Sequence, residues 1–545
     1  MEVLFMKQPV KRILIVFTGI LLLFTICAVR VLGITVCNHS FAQTAAAQQT
    51  LQLTFSTGRG TIYDRNLQPL TGGKTSYMTA IVPSRKSAAV LSKVLPAQRM
   101  RKIYEQLKAG APFLTNLDVP IESDDILCFP QAARYPKRTF AAHMLGYLDN
   151  SGSGVSGVEK AFNRTLSGSN VTTRITYAVD ALRHQLPGET PKVETSPAGA
   201  QTGIVLTIDR NLQKLAEDSA ANLQKGAAVI LEAGTGKILA SVSLPGYSPA
   251  NVASALKKDD GALVNRVMQP YSVGSVFKLV SAAAALEHGA DPNTQYNCTG
   301  SETVDGLSFH CAGGEKHGRI TMREAIADSC NCYFIHLMQF VPQAQFLSMA
   351  HNLGFGQSDE LAPGFISSSG SLPTLSELEN RKALANFSFG QGNLTATPLQ
   401  IAAMVNAIAS GGIFRQPTLY AGQADRFGRI SVRAESRTGT VAISQKNAAL
   451  LRSFMESGAT DGTGRPGRPM YVQAAAKTAT AQTGHFTNGK EDLISWYAGF
   501  FPVDSPKYVV VVMNEGGDSG GRTCGPVFKK IADSLYPNEI DKPAD

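Results

Sequence analysis

Residues 13–29 form a run of seventeen without a charge, and no other stretch narrows the folding options of this chain so sharply. Lys7, Lys11 and Arg12 precede it, and Arg30 follows before apolar sequence resumes through Val36. With Arg30 reaching back to the interface, residues 13–36 are long enough to cross a bilayer as one helix. A cleaved export signal is the alternative. Its apolar segment, however, is usually only roughly 7–15 residues, and no small-x-small cleavage site follows the run. Cys27, in Phe24-Thr25-Ile26-Cys27, also lacks the small residue expected just before a lipidated cysteine. We therefore expect an uncleaved single-pass anchor in the cell membrane, with residues 1–12 in the cytoplasm and everything beyond the span outside.

The chain is globular in composition, with 43% hydrophobic and 17% charged residues. At 545 residues it is too long for one ordinary domain. The net charge of +9 fits either a solvated basic surface or a preference for anionic surroundings such as lipid headgroups or cell-wall polymers. No clustered basic-aromatic patch argues for nucleic acid. Residues 42–53 read as a polar juxtamembrane helix or stalk, and 196–200 as a linker. The expected organisation is a tail at 1–12, an anchor at 13–36, a mixed pedestal at 37–197, a second domain at 198–537 and a tail at 538–545. Within the pedestal, Arg59-Gly60-Thr61-Ile62-Tyr63-Asp64-Arg65-Asn66, Arg134-Tyr135-Pro136, His143 to Tyr147 and Gly154 to Glu159 cluster glycines and charges between apolar runs. They read as turns and buried ion pairs of a scaffold.

The second domain carries strand signals in two separated groups. Residues 203–209 lead into a helix over 211–223, and 227–231 and 238–243 form a hairpin around Gly234-Thr235-Gly236. Three more strands are expected at 472–480, 494–501 and 508–513, the last two joined by Val503-Asp504-Ser505-Pro506-Lys507. Between the groups lies a largely helical insert, 251–457, and a helix over 526–535 follows them. This order predicts an α+β fold, one antiparallel sheet of about five strands packed by helices.

Chemistry enters at Ser275-Val276-Phe277-Lys278, where an Ala-rich apolar helix over 277–286 begins and stops at Gly289. Ser275 would lie in its first turn, among unpaired backbone N–H groups, with Lys278 one turn on and on the same face. Serine is a poor nucleophile until a base takes its proton, and a desolvated lysine can be that base. Ser-x-x-Lys alone is weak, because Ser254-Ala255-Leu256-Lys257 matches it too. That second copy runs into the polar turn Lys258-Asp259-Asp260-Gly261 and reads as a solvated surface pair. Ser275 has two distant companions, Ser329-Cys330-Asn331 and Lys477-Thr478-Ala479-Thr480.

Eight cysteines in an external chain make disulfides feasible. Cys298 and Cys311 bracket a short glycine-containing loop and are expected to be bridged. Cys330 and Cys332 are too close in sequence for an easy bridge. Nine scattered histidines show no metal-ligand spacing, and no second ligand pair is evident near Cys330 or Cys332.

With the three polar motifs in hand, the chain resembles the penicillin-recognising serine acyltransferases, whose signature joins Ser-x-x-Lys, Ser-x-Asn and Lys-Thr-Gly. The Arg59-to-Asn66, Arg134-to-Tyr147 and Gly154-to-Glu159 stretches, Phe389-Gly390-Gln391-Gly392 and Thr397-Pro398-Leu399-Gln400 look like those of class B penicillin-binding proteins, the monofunctional peptidoglycan D,D-transpeptidases. The resemblance covers nearly all of residues 12–535. It implies Ser275 as acylated nucleophile, Lys278 as its proton acceptor, Ser329 as a relay toward the leaving group and Lys477 as the charge shaping the field around it. Asn331 would hold the substrate amide, and Thr478 the terminal carboxylate of a D-Ala-D-Ala stem peptide. The backbone N–H groups of Ser275 and Thr480 would form the oxyanion hole. No metal or cofactor is implied. The implied partners are stem peptides, β-lactams, the membrane and other cell-wall synthesis proteins, including a glycan polymerase. Two departures stand out. Val273 and Val276 flank the nucleophile turn where the family has Pro and Thr, and Ala479 replaces a glycine, where its methyl would crowd an incoming ligand.

A β-lactam hydrolase or drug sensor would share the three motifs, but a hydrolase needs no anchor and pedestal, and no signalling region is evident. An inactive scaffold would have to have spared every polar group. A bifunctional enzyme with its own glycan polymerase is disfavoured, because no paired-acid motif lies between anchor and linker.

Overall fold

The computed structural model describes residues 7–34, 49–168, 171–196, 202–258, 260–425 and 427–537. The expected tail at 538–545, most of the stalk at 42–53 and most of the linker at 196–200 lie outside the described residues. Helix α1, Lys7–Leu32, contains Val10–Leu32, 23 residues with a mean hydropathy of 2.5 and none of it buried. By length and composition it can cross a membrane.

The remaining chain divides into two compact units, and the division differs from the continuous pedestal expected at 37–197. One unit comprises Met1–Gly58, Lys74–Ala133 and Asn170–Gly199; the other comprises Arg59–Gly73, Arg134–Ser169 and Ala200–Asp545. The chain thus visits the larger unit twice before settling there. Ion pairs and strand pairing join these segments to the larger unit. Glu159 is fully buried and receives hydrogen bonds from Arg59 Nε at 2.8 Å, Arg134 Nε at 2.6 Å and the Tyr135 hydroxyl at 3.3 Å. A buried carboxylate needs such partners, and they tie the 59–73 segment to the 134–169 segment, while Arg65 with Glu232 at 2.8 Å and Arg138 with Asp218 at 2.6 Å join these segments to the chain after 200. Ile62–Tyr63 also pairs in parallel with Gly203–Leu206. The smaller unit holds two three-stranded sheets. In one, Thr75–Ile81 lies between Phe113–Leu117 and Ile126–Ala132; in the other, Val171–Ala178 lies between Thr50–Thr57 and Lys192–Thr195.

The larger unit is built on a five-stranded antiparallel sheet. Its strands are β1 (Gly226–Glu232), β2 (Ile238–Leu244), β3 (Ala475–Thr487), β4 (Lys490–Phe501) and β5 (Tyr508–Glu515), in the order β2-β1-β5-β4-β3. Val509, Val511 and Met513 of β5 point to one face with Trp496, Ala498 and Phe500 of β4, while Val510, Val512, Tyr497 and Phe501 point to the other. Both faces are apolar because both are covered. Helix α2 (Arg210–Ala220) and the closing helix, Gly525–Leu535, pack on the outer face. The inner face receives two helices of the insert, α3 (Lys278–Glu287) and Pro398–Ala409; all of the second and all but the last residue of the first are buried.

The insert is less uniformly helical than its composition predicts. Short ribbons interrupt it, including Tyr296–Cys298 with Gly318–Ile320 and Ser301–Val304 with Leu307–His310. Tyr420–Ala424 leaves the insert altogether to pair with Gly203–Leu206.

Candidate active site

Ser275 sits on a 3-10 turn, Gly274–Phe277, which runs directly into α3. The helix expected over 277–286 is therefore entered through a tighter turn. That turn lies against β3: a side chain on Gly274, whose φ is +62°, would meet the Ala481 methyl at 3.0 Å and that of Ala479 at 3.4 Å. Gly274 N donates to Gly390 O at 2.9 Å, and a Cβ on Gly390 would stand 2.0 Å from the Gly274 carbonyl oxygen. Only glycine at both positions permits so close an approach. From the other side, Trp496 Nε1 donates to Ser272 O at 2.9 Å, and Glu515 accepts from the Tyr271 hydroxyl at 3.1 Å and from Arg266 Nε at 2.7 Å. Gly390, Trp496 and Glu515 therefore position the turn. Only the first lies in a sequence stretch that draws notice; the others bear no recognisable spacing to Ser275.

Lys278 and Lys477 are both buried, at 0% and 1% exposure, and both amines converge on Ser329. Lys278 Nζ donates to Ser329 Oγ at 3.2 Å, to Asn331 Oδ1 at 2.7 Å and to the Ser329 carbonyl. Lys477 Nζ donates to the same Ser329 Oγ at 2.9 Å and to Thr478 O at 3.0 Å. Burial lowers Lys278 from its ordinary 10.5 to about 8, partly opposed by the thiols of Cys330, Cys311 and Cys332. Lys477 is also held well below its ordinary value, by burial first and then by the charge of Lys278, with Asp328 opposing. Two cations cannot comfortably share one buried hydroxyl. Ser329 adopts φ +62°, a left-handed conformation uncommon for a residue with a Cβ, and this aims its hydroxyl between the two amines. The Ser275 hydroxyl has no hydrogen-bond partner among the described residues.

The third motif divides across its strand. β3 pairs regularly with β4 from Ala475 to Gln482, and its register shifts only between Gln482 and Phe486. Lys477, Ala479 and Ala481 therefore share the inner face, and Thr478 and Thr480 the other. No bulge brings Thr478 round. Instead the loop after helix Gln445–Thr460 comes to it, and the Thr478 hydroxyl donates to Thr463 Oγ1 at 2.7 Å. Thr480 Oγ1 accepts from Gly520 N at 3.3 Å. Thr463 is not singled out by the sequence; its only signal is the glycine run around it, at 458, 462, 464 and 467. Ala479 is 3% exposed and packs beneath the nucleophile turn. Its methyl therefore does not project into open space where a ligand would lie, contrary to the expectation from sequence.

The cysteines also differ from expectation. Cys298 and Cys311 are close, but their sulfurs are 3.7 Å apart and both are free thiols. A disulfide requires about 2.05 Å. Cys330 and Cys332 come to the same place, with Sγ atoms 3.7 and 3.4 Å from that of Cys311. His317 Nδ1 lies 3.4 Å from Cys298 Sγ. The absence of a second ligand pair near Cys330 and Cys332, read from the sequence, is thus corrected.

Comparison with known proteins adds four findings. The family model of the penicillin-binding protein transpeptidase domain matches residues 226–533. Stage V sporulation protein D of Bacillus subtilis is similar at 27% identity, over 98% of this chain and 86% of its own length. Peptidoglycan D,D-transpeptidase PbpA of Mycolicibacterium smegmatis is 32% identical over 59% of this chain and 70% of its own. Among solved structures, penicillin-binding protein 3 of Mycobacterium tuberculosis in complex with aztreonam shares the fold. Its TM-score is 0.65 at 23% identity, covering 90% of this chain and 98% of that one.

Proposed function

Because this chain belongs to the class B penicillin-binding proteins and is a peptidoglycan D,D-transpeptidase, we propose that it is a membrane-anchored enzyme that crosslinks stem peptides through an acyl-enzyme on Ser275. The observation that carries this reading is the convergence on the Ser329 hydroxyl of two buried amines, that of Lys477 and that of Lys278, the latter one helical turn from Ser275. In the first step, neutral Lys278 takes the Ser275 proton as Oγ attacks the carbonyl of the penultimate D-alanine. The negative charge on that oxygen is met by the backbone N–H groups of Ser275 and Thr480. The C–N bond then breaks, and the departing D-alanine amine receives its proton through Ser329, whose hydroxyl Lys477 polarises. Asn331 holds the substrate amide. Thr478, with Thr463 beside it, binds the terminal carboxylate. An amine from a neighbouring stem attacks the ester in the second step, and the same groups return its proton and release Ser275.

β3 is an edge strand, paired only with β4 among the described residues. An extended peptide can lie along its free edge and pair with its backbone. Helix α1 would hold the catalytic unit at the membrane surface, with Lys7, Lys11 and Arg12 on the cytoplasmic side. Residues 198–537, together with the segments tied by Glu159, would form the transpeptidase domain, and the rest of 37–197 the pedestal. Other cell-wall synthesis proteins, including a glycan polymerase, would meet it at the pedestal or the anchor.

Mapping the peptide modified by a labelled penicillin tests the assignment. Label is expected on Ser275 and is expected to persist, whereas a hydrolase would turn the drug over. Ser275→Ala abolishes labelling, and Ser254→Ala leaves it unchanged. Label retained in the Ser275 variant would overturn the reading.

A further inference from the structure

The cysteine cluster beside the second motif is built as a metal site. Cys298 ends strand Tyr296–Cys298, Cys311 follows strand Leu307–His310, His317 precedes strand Gly318–Ile320, and Cys330 caps helix Asn331–Leu337. Three sulfurs and one imidazole nitrogen from these four elements lie within 4.8 Å of one another. All three thiols are buried, and the His317 side chain is 7% exposed. A tetrahedral ion about 2.3 Å from each thiolate separates its sulfurs by about 3.8 Å. The observed Cys298–Cys311 and Cys311–Cys330 separations are both 3.7 Å.

Ordinary packing does not explain this arrangement. Buried thiols are weak hydrogen-bonding groups, and here they face mainly one another. The buried His317 Nδ1 has only a sulfur neighbour, and its Nε2 has no hydrogen-bond partner, the Glu315 carboxylate standing off at 3.8 Å. A buried imidazole with neither nitrogen hydrogen-bonded to oxygen is costly, unless one nitrogen ligates a metal and the other turns to an outer carboxylate such as Glu315 or Asp328. A single disulfide would satisfy two of the thiols and strand the remaining donors.

We propose that Cys298, Cys311, His317 and Cys330 bind one structural Zn2+, and that this ion holds the segment carrying Ser329 and Asn331 in its working conformation. Three soft thiolates and an imidazole in a closed, buried tetrahedron are the donor set of structural zinc. On binding, three S–H protons pass to solvent and three Zn–S bonds and one Zn–N bond form, leaving a net charge of minus one. No electron is transferred. Cys332, whose sulfur lies beside those of Cys311 and Cys298, is not one of the four donors that all lie within 4.8 Å of one another, and it stays outside the coordination sphere. The ion ties the backbone between Ser329 and Asn331 to three otherwise separate elements. Asn331 Nδ2 adds a parallel link by donating to His310 O at 2.8 Å, one residue before Cys311. Such a clamp sustains the left-handed backbone of Ser329, which the surrounding structure must otherwise enforce unaided.

The metal site rests on its own geometry; only its effect on acylation rests on Ser275 being the nucleophile. The test uses the full chain, purified in detergent without added metal. Elemental analysis is expected to find one zinc per chain, and X-ray absorption to find three sulfurs at about 2.3 Å and one nitrogen at about 2.0–2.1 Å. Cys298→Ser and His317→Gln lose the zinc, while Cys332→Ser retains it. Removing zinc from the unaltered chain slows penicillin acylation by roughly 10-fold to 100-fold, and adding Zn2+ back restores it. Ser275→Ala is not acylated but keeps its zinc, which separates failure of the metal site from failure of the nucleophile assignment. A zinc-free chain, a Cys298–Cys311 disulfide by non-reducing mass spectrometry, or zinc lost from Cys332→Ser would overturn the site. Acylation indifferent to zinc removal would overturn its positioning role.

Discussion

A lysine that begins the reaction as a base must be found neutral, and Lys278 is held at about 8 by burial, against the opposing thiols. At pH 7 about one molecule in ten then carries the free amine. Acylation by a fixed β-lactam is expected to rise about tenfold per pH unit from about pH 6 and to level off above about pH 8. A flat profile over that range, followed by stopped-flow fluorescence, would contradict Lys278 as the base. Ala479 makes a second prediction. Its methyl fills the space under the turn of Ser275, so Ala479→Gly removes buried packing and is expected to cost about 1 kcal/mol of stability. Its second-order acylation rate is expected to be no higher than that of the parent; a faster variant would restore the crowding expected from sequence. The three polar motifs stand out in the sequence by side chains at short spacings, and Lys278, Ser329 and Lys477 do meet in the structure. Thr463 and the cysteine ligands do not stand out, since each is delivered by a different loop. Intervals of twelve, five and twelve residues between Cys298, Cys311, His317 and Cys330 resemble no ligand pattern.

At the level of elements, all five strands of the central sheet are readable, most of them because strands covered on both faces appear as apolar runs such as 227–231 and 508–513. The sequence is less informative where backbone meets backbone. Gly390 illustrates this: its φ is +87°, and its value lies in admitting the Gly274 carbonyl oxygen, a contact across 116 residues that no periodicity announces. Gly390→Ala places a methyl 2.0 Å from that oxygen, so the turn of Ser275 must shift. A displacement of even about 1 Å can cost roughly 10²-fold in rate. Labelled penicillin should therefore react with this variant at least about tenfold more slowly, while the far-UV circular dichroism is unchanged. A variant that reacts normally would show that the turn is held by Trp496 and Glu515 alone.

For the molecule as a whole, the interleaving of the two compact units along the chain is not readable from the sequence. Charges at 59, 134 and 159 look unremarkable until they meet around one buried carboxylate. Glu159→Gln leaves Arg59 and Arg134 facing a neutral group, and breaking such a buried pair costs about 3–5 kcal/mol. The melting temperature should fall accordingly, while the fraction that remains folded acylates at the normal rate. An unchanged melting temperature would mean that the two segments are held by packing rather than charge. The sheet carries a different consequence at its open side. An edge open to an extended peptide could equally welcome a strand from another copy of the protein, and crowded copies would then accumulate as aggregates. β3 resists this in its composition. From Ala475 to Ala481 it offers alanines and threonines in place of large apolar side chains, with the Lys477 side chain turned inward. Such short side chains give a second strand little apolar surface to bind, so the open edge is a poor template for its own kind.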